Sequence, residues 1–107
     1  MFEVELDITL SKIVEKMRAA GSPEKIVLFG SRARGDARAD SDIDLLVIEH
    51  SSLPRYKRSA RYRKAVAGLF AAKDIIVWSP DEVEEWKSVP NAFITTILRE
   101  GKVLYET

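Results

Sequence analysis

The sequence predicts an α/β fold of the α+β kind, a small β-sheet with helices packed on it, and three observations predict it. Short apolar runs bounded by Gly, Pro or polar residues alternate with longer stretches whose apolar residues recur at helical spacing. The length, 107 residues, fits one domain with one modest core. No repeat, linker or low-complexity segment divides the chain, so residues 1–107 read as a single domain.

Leu6, Leu10, Ile13, Val14 and Met17 recur at helical spacing, with Asp7 or Thr9 as candidate caps and Gly21 as the stop. Lys25 to Phe29 is a short apolar run between Pro23 and Gly30 and reads as a buried strand. Residues 30–41 carry no apolar run and read as a loop with room for one helical turn. Ile43 to Ile48 is a second strand. Pro54 stands at a first helical position after Ser52, and a helix is expected from there to Ala72, with Ala65, Val66, Leu69 and Phe70 toward the core. Asp74 to Trp78 is a third strand. Ser79-Pro80-Asp81-Glu82 has the form of a capping box with proline in the first turn, so a helix starts there, and Pro90 keeps it short. A further helix holds Phe93, Ile94, Ile97 and Leu98 and stops at Gly101, before a last short strand over Val103 to Tyr105.

The totals exclude several classes of function. Without cysteine there are no disulfides and no thiolate-metal sites, and a reducing, cytoplasmic setting fits. The N-terminus lacks the basic-then-apolar pattern of a signal peptide. No apolar run approaches the roughly 20 residues that span a bilayer, so no membrane partner is expected. Seventeen basic and 17 acidic residues balance to zero net charge, which argues against binding nucleic acid by bulk charge.

The chemistry is concentrated in GSRARGDARADSDIDLLV, residues 30–47. Gly30-Ser31 directly follows a strand, and Gly35 is close behind. A glycine there lets backbone amides approach a phosphate, the Ser31 hydroxyl adds a hydrogen bond, and Arg32, Arg34 and Arg38 bring positive charge. Taken alone, the pair is at least as readily an ordinary turn. Asp42 and Asp44 alternate with Ile43, so both carboxylates point to one side of a strand, with Cα atoms roughly 6–7 Å apart. Such a pair repels itself unless a cation intervenes, and oxygen-only ligands suit Mg²⁺. Alone, it is equally a polar strand entry. Asp74 opens an apolar strand; it joins the pair if the two strands are neighbours, and is otherwise a solvated strand end.

Together, strand, Gly-Ser turn, spacer, Asp-x-Asp on a second strand and Asp on a third form an ordered set. The chain here resembles the minimal nucleotidyltransferases of the DNA polymerase beta-like superfamily, through Gly30, Ser31, Gly35, Asp42, Asp44 and Leu45, and through the ending around Phe93 to Tyr105. The resemblance implies a palm built on a small mixed sheet. It implies that Asp42, Asp44 and Asp74 hold two Mg²⁺ ions, and that Asp74 helps deprotonate an acceptor hydroxyl. It implies that Gly30 and Ser31, with Arg32 and Gly35 nearby, bind the triphosphate of ATP. Small members of this kind resemble the antitoxin of a toxin–antitoxin pair whose toxin is a helical HEPN ribonuclease. They either add AMP to a tyrosine of the toxin or silence it by contact alone.

Arg55, Lys57, Arg58, Arg61, Arg63 and Lys64 crowd a stretch that has no acid between Glu49 and Asp74. Lys57, Arg61 and Lys64 share a face by spacing. A solvated helix surface explains them; contact with a triphosphate, with Lys64 the candidate, or with an acidic partner is the alternative. A nucleic-acid-binding regulator using this helix is disfavoured by the neutral total. His50, the single histidine, reads as a surface loop residue, and Trp78 and Trp86 read as packing residues. The sequence leaves the oligomeric state open.

Overall fold

A computed structural model describes the backbone of residues 2–38, 40–69, 73–90 and 92–107, with side chains except those of residues 2–6 and Lys73. Four strands form one mixed sheet in the order β3-β2-β1-β4. β1 is Lys25–Phe29, β2 Ile43–Ile48, β3 Lys73–Trp78 and β4 Lys102–Glu106. β1 pairs antiparallel with β2 and with β4, whereas β2 and β3 run parallel. The β1–β2 link is a loop with one turn of helix, α2 (Ser31–Arg34). The parallel pair needs a crossover, supplied by α3 (Arg55–Arg58) and α4 (Ala60–Ala65). This is the small mixed sheet with packed helices that the sequence predicts.

Alternation along the strands divides the core. Ile26, Leu28, Ile43, Leu45, Val47, Ile75 and Val77 pack with Ile13 and Met17 of α1 (Phe2–Ala20) and with Tyr62 and Val66. On the other face Val27, Leu46, Ile48 and Trp78 meet Ile94 and Ile97 of α6 (Phe93–Glu100). α5 (Pro80–Trp86) carries the full capping box, with Glu82 N–H donating to the Ser79 hydroxyl and Ser79 N–H to the Glu82 carboxylate.

Three boundaries differ from expectation. α1 begins at Phe2, so Asp7 and Thr9 lie inside it and cap nothing; the residues ahead of them include the good helix formers Glu and Leu. Pro54 is the residue before α3 and not its first. The helix expected to reach Ala72 breaks at Ser59 and ends at Ala65, after which residues 66–69 turn through Gly68 at φ 85°. Ser59 is buried and receives the Arg63 side chain on its hydroxyl and the Arg63 N–H on its carbonyl. The break separates Lys57 from Arg61 and Lys64. The side chain of Leu6, and residues 70–72 at the expected helix end, lie outside the described residues.

Candidate active site

One end of the sheet brings together a strand end, a turn and two strand starts. Gly30 leaves β1 with φ 75° and ψ −157°, backbone space essentially closed to residues with a Cβ. A Cβ there would run into the Asp44 carboxylate. Glycine is thus required twice, by the torsion and by the acid lying over it. Ser31 opens α2, whose start has no side-chain cap and whose Ala33 and Arg34 amides close back on the Gly30 carbonyl. The amides of Gly30 and Ser31 ahead of them suit an anion.

Asp44 is the second residue of β2, an inner strand. Its register partners are Phe29 on β1 and Asp74 on β3. Parallel pairing places Asp44 and Asp74 side by side on one face, on strands roughly 4.8 Å apart. Asp42 stands just ahead of β2 and is exposed, as is Asp74, whereas Asp44 is half-buried. Burial first, then the charges of Asp74 and Asp42, push the Asp44 carboxyl above its ordinary value, against a smaller pull from Arg34. Arg34 itself reaches back to Asp36 at 3.4 Å.

Asp74 and Asp42 therefore both bear on Asp44, with little local compensation. Among the described residues no three acidic or histidine side chains close into a metal cage. Mg²⁺ does not ask for one: it takes one or two carboxylates and completes its shell with substrate phosphates and water. Hard oxygen donors, mutual repulsion and a glycine cradle filled by a carboxylate all fit that ion.

Other residues singled out in the sequence have different positions. Arg32 is buried and donates to the Ser41 carbonyl at 2.9 Å, fastening the loop that leads into Asp42. Gly35 ends α2 in the left-handed region at φ 88°, its N–H on the Ser31 carbonyl; that cap explains the glycine without a ligand. Arg38 N–H donates to the Ser41 hydroxyl at 2.8 Å. Lys64 is exposed on the last turn of α4. His50 is exposed, 3.4 Å from the Glu24 carboxylate.

At the far end of β2 lies a cluster that sequence reasoning passed over. Glu49 is buried and accepts from the Ser22 N–H at 2.7 Å, from the Tyr62 hydroxyl and from Arg61. Burial first, then the Glu49 hydrogen bond and charge, raise the Tyr62 hydroxyl well above its ordinary pKa of 10.0. A Cβ on Gly21 would collide with Tyr62 and Glu49. The available signal was an acid directly after an apolar strand, facing a basic stretch that lacks any other acid.

Three comparisons place this geometry among known proteins. The family "Polymerase beta, Nucleotidyltransferase" matches residues 11–107. The protein adenylyltransferase MntA of Thermococcus cleftensis is 32% identical over 100 residues, which cover 92% of this chain and 89% of that protein. A crystal structure of a toxin–antitoxin with AMP-PNP superposes with a TM-score of 0.67 at 24% identity, over 92% of this chain and 73% of that one. The complex of a tri-AMPylated Shewanella oneidensis HEPN toxin with an MNT antitoxin superposes with a TM-score of 0.63 at 22% identity, over 94% of this chain and 72% of that one. The two structural likenesses speak for the fold.

Proposed function

The chain belongs to the polymerase beta nucleotidyltransferase family, and from that premise we propose that it transfers AMP from ATP to a tyrosine hydroxyl of a HEPN-type toxin, acting as a cytoplasmic antitoxin. The observation that carries this reading is the parallel pairing of Asp44 with Asp74, with the Asp44 carboxylate lying over Gly30. The relative named a protein adenylyltransferase supports AMP as the group moved, and the solved complex of an AMPylated HEPN toxin with an MNT antitoxin supports the acceptor. No helix among the described residues is long and apolar enough to cross a membrane.

Asp42, Asp44 and Asp74 would hold two Mg²⁺ ions, with the phosphates of ATP completing their shells. When bound, such ions neutralise charge on the triphosphate and lower the pKa of the attacking hydroxyl. The amides at Gly30 and Ser31, with the Ser31 hydroxyl, receive the β- and γ-phosphates. Asp74, the exposed member of the strand pair, takes the acceptor proton. The acceptor oxygen then bonds to the α-phosphorus while the bond to the β-phosphate oxygen breaks and pyrophosphate leaves. Arg32 acts through the loop: its bond to the Ser41 carbonyl holds Asp42 and Asp44 in line. Lys64, exposed on the last turn of α4, is the further side chain proposed to approach a bound triphosphate.

Incubation of the protein with α-labelled ATP, Mg²⁺ and the toxin encoded beside it tests the reading. Label is expected on the toxin, and none with Asp42→Asn or Asp44→Asn. A wild-type protein that silences the toxin by contact and transfers no label overturns the enzymatic reading in favour of a binding-only antitoxin.

A further inference from the structure

β3 is an outermost strand of the sheet, and its outer edge has no strand neighbour among the described residues. Such an edge displays backbone donors and acceptors to any extended chain laid beside it. Arg58 already takes one acceptor there, donating to the Val77 carbonyl at 3.4 Å, and an incoming strand pairs with the rest of the edge or displaces it. A groove of about 580 Å³ runs along this edge. Arg55 and Arg63, the strand residues Ile75 to Trp78, and Phe93 line it. Phe93 is 58% exposed and Tyr56, which also lines the groove, 76%, so two aromatic rings at a cleft face solvent.

Charge and position narrow the occupant. No acidic residue is among the described residues that line the groove. Arg55 and Arg58 share one carboxylate, Glu82, and Arg63 is turned to the Ser59 hydroxyl. Two guanidinium groups, Arg55 and Arg63, thus line the groove, and the one carboxylate shared by Arg55 and Arg58 lies outside its lining. Asp74 immediately precedes Ile75 on the same strand. From Trp78 to Asp74 is four residues, about 13 Å of strand.

We propose that this groove is the acceptor-docking site, taking an extended, acid-bearing segment of the partner protein along the β3 edge and setting its hydroxyl beside Asp74. Strand addition provides the backbone hydrogen bonds, the arginines select acidic side chains and the aromatic walls cover apolar ones. The inference rests on the transfer reading above, because it names how the acceptor of that same site is recognised. A nucleic-acid strand fits less well, since the chain has zero net charge and phosphate binding draws on many unpaired cations.

The test separates docking from chemistry. Two fluorescein-labelled decapeptides are used, each with one tyrosine among valines, flanked by glutamates in one and lysines in the other. Anisotropy at physiological salt should show the acidic peptide bound at least tenfold tighter. Arg63→Glu should weaken it about tenfold, and Phe93→Ser should weaken it with no charge change. Lys16→Glu, the same charge reversal on the exposed side of α1, should leave binding intact. Equal affinity for the two peptides, or indifference to Arg63→Glu and Phe93→Ser, overturns the docking site. So does tighter binding of a fluorescein-labelled oligonucleotide, or a homodimer that Arg63→Glu dissociates. Label transfer from ATP to the bound acidic peptide is read separately: binding that obeys these variants without transfer supports the docking site and counts against the enzymatic reading alone.

Discussion

The strand β2 has a carboxylate at each end, and the two are treated in opposite ways. Glu49, after the last residue, is buried and surrounded by donors: a backbone N–H, a phenol and a guanidinium. Asp44, near the first, is half-buried beside two further carboxylates, and the cation that acts on it, Arg34, is turned to Asp36. A buried charge is tolerated in a fold when it is paired and hydrogen-bonded. Glu49 meets that condition within the chain. Asp44 leaves it largely unmet, with only a smaller pull from Arg34, and such an arrangement fits the cation and substrate proposed for it above.

The largest expected effect breaks the comparison at the Asp44 end. Asp44→Asn should lower label transfer roughly a thousandfold, about 4 kcal/mol of lost charge stabilisation. In chelator it should melt no lower than wild type, because it removes repulsion from Asp74 and Asp42. A clear fall in its metal-free melting temperature would make Asp44 a structural acid like Glu49.

The opposite end should respond in the opposite way. Glu49→Leu strands the Tyr62 hydroxyl, Arg61 and the Ser22 amide, and should destabilise the protein by about 3 kcal/mol, measured by urea unfolding. Transfer per folded molecule should stay close to wild type well below the melting temperature. A loss of transfer without loss of stability would place Glu49 in the chemistry.

This contrast also explains what the sequence disclosed. Short-range chemistry was legible: the Gly30 turn, the nearness of the Asp42 charge to Asp44, the capping box at Ser79 and the stop at Gly101 each depend on a few neighbouring residues. The pairing of Asp44 with Asp74 was conditional on strand order, which no local pattern encodes. Arg32 and Gly35 serve as a loop clamp and a left-handed cap, which use the same residue types as a phosphate site, so the sequence does not separate the two roles. Glu49 was hidden because its partners lie 27 residues before it and 12 and 13 after it.

A third carboxylate, Glu82, lies between the two extremes and gives the smallest effect. Burial works against its charge, but bonds from Arg58, the Ser79 N–H and Arg55 outweigh that and hold it down at about 2, from an ordinary 4.5. Its folded pKa lies below the unfolded one, so the stability it contributes is complete above about 4.5 and is lost as pH falls toward 2. Glu82→Gln should flatten the acid limb of the stability profile between those values and cost about 1–2 kcal/mol at neutral pH, the scale of a charge-assisted hydrogen bond. Glu82 also joins the start of α5 to the arginines beside the β3 groove. The same variant should therefore free Arg55 and bind the acidic peptide more tightly at pH 7, whereas an unchanged peptide affinity would confine Glu82 to capping its own helix.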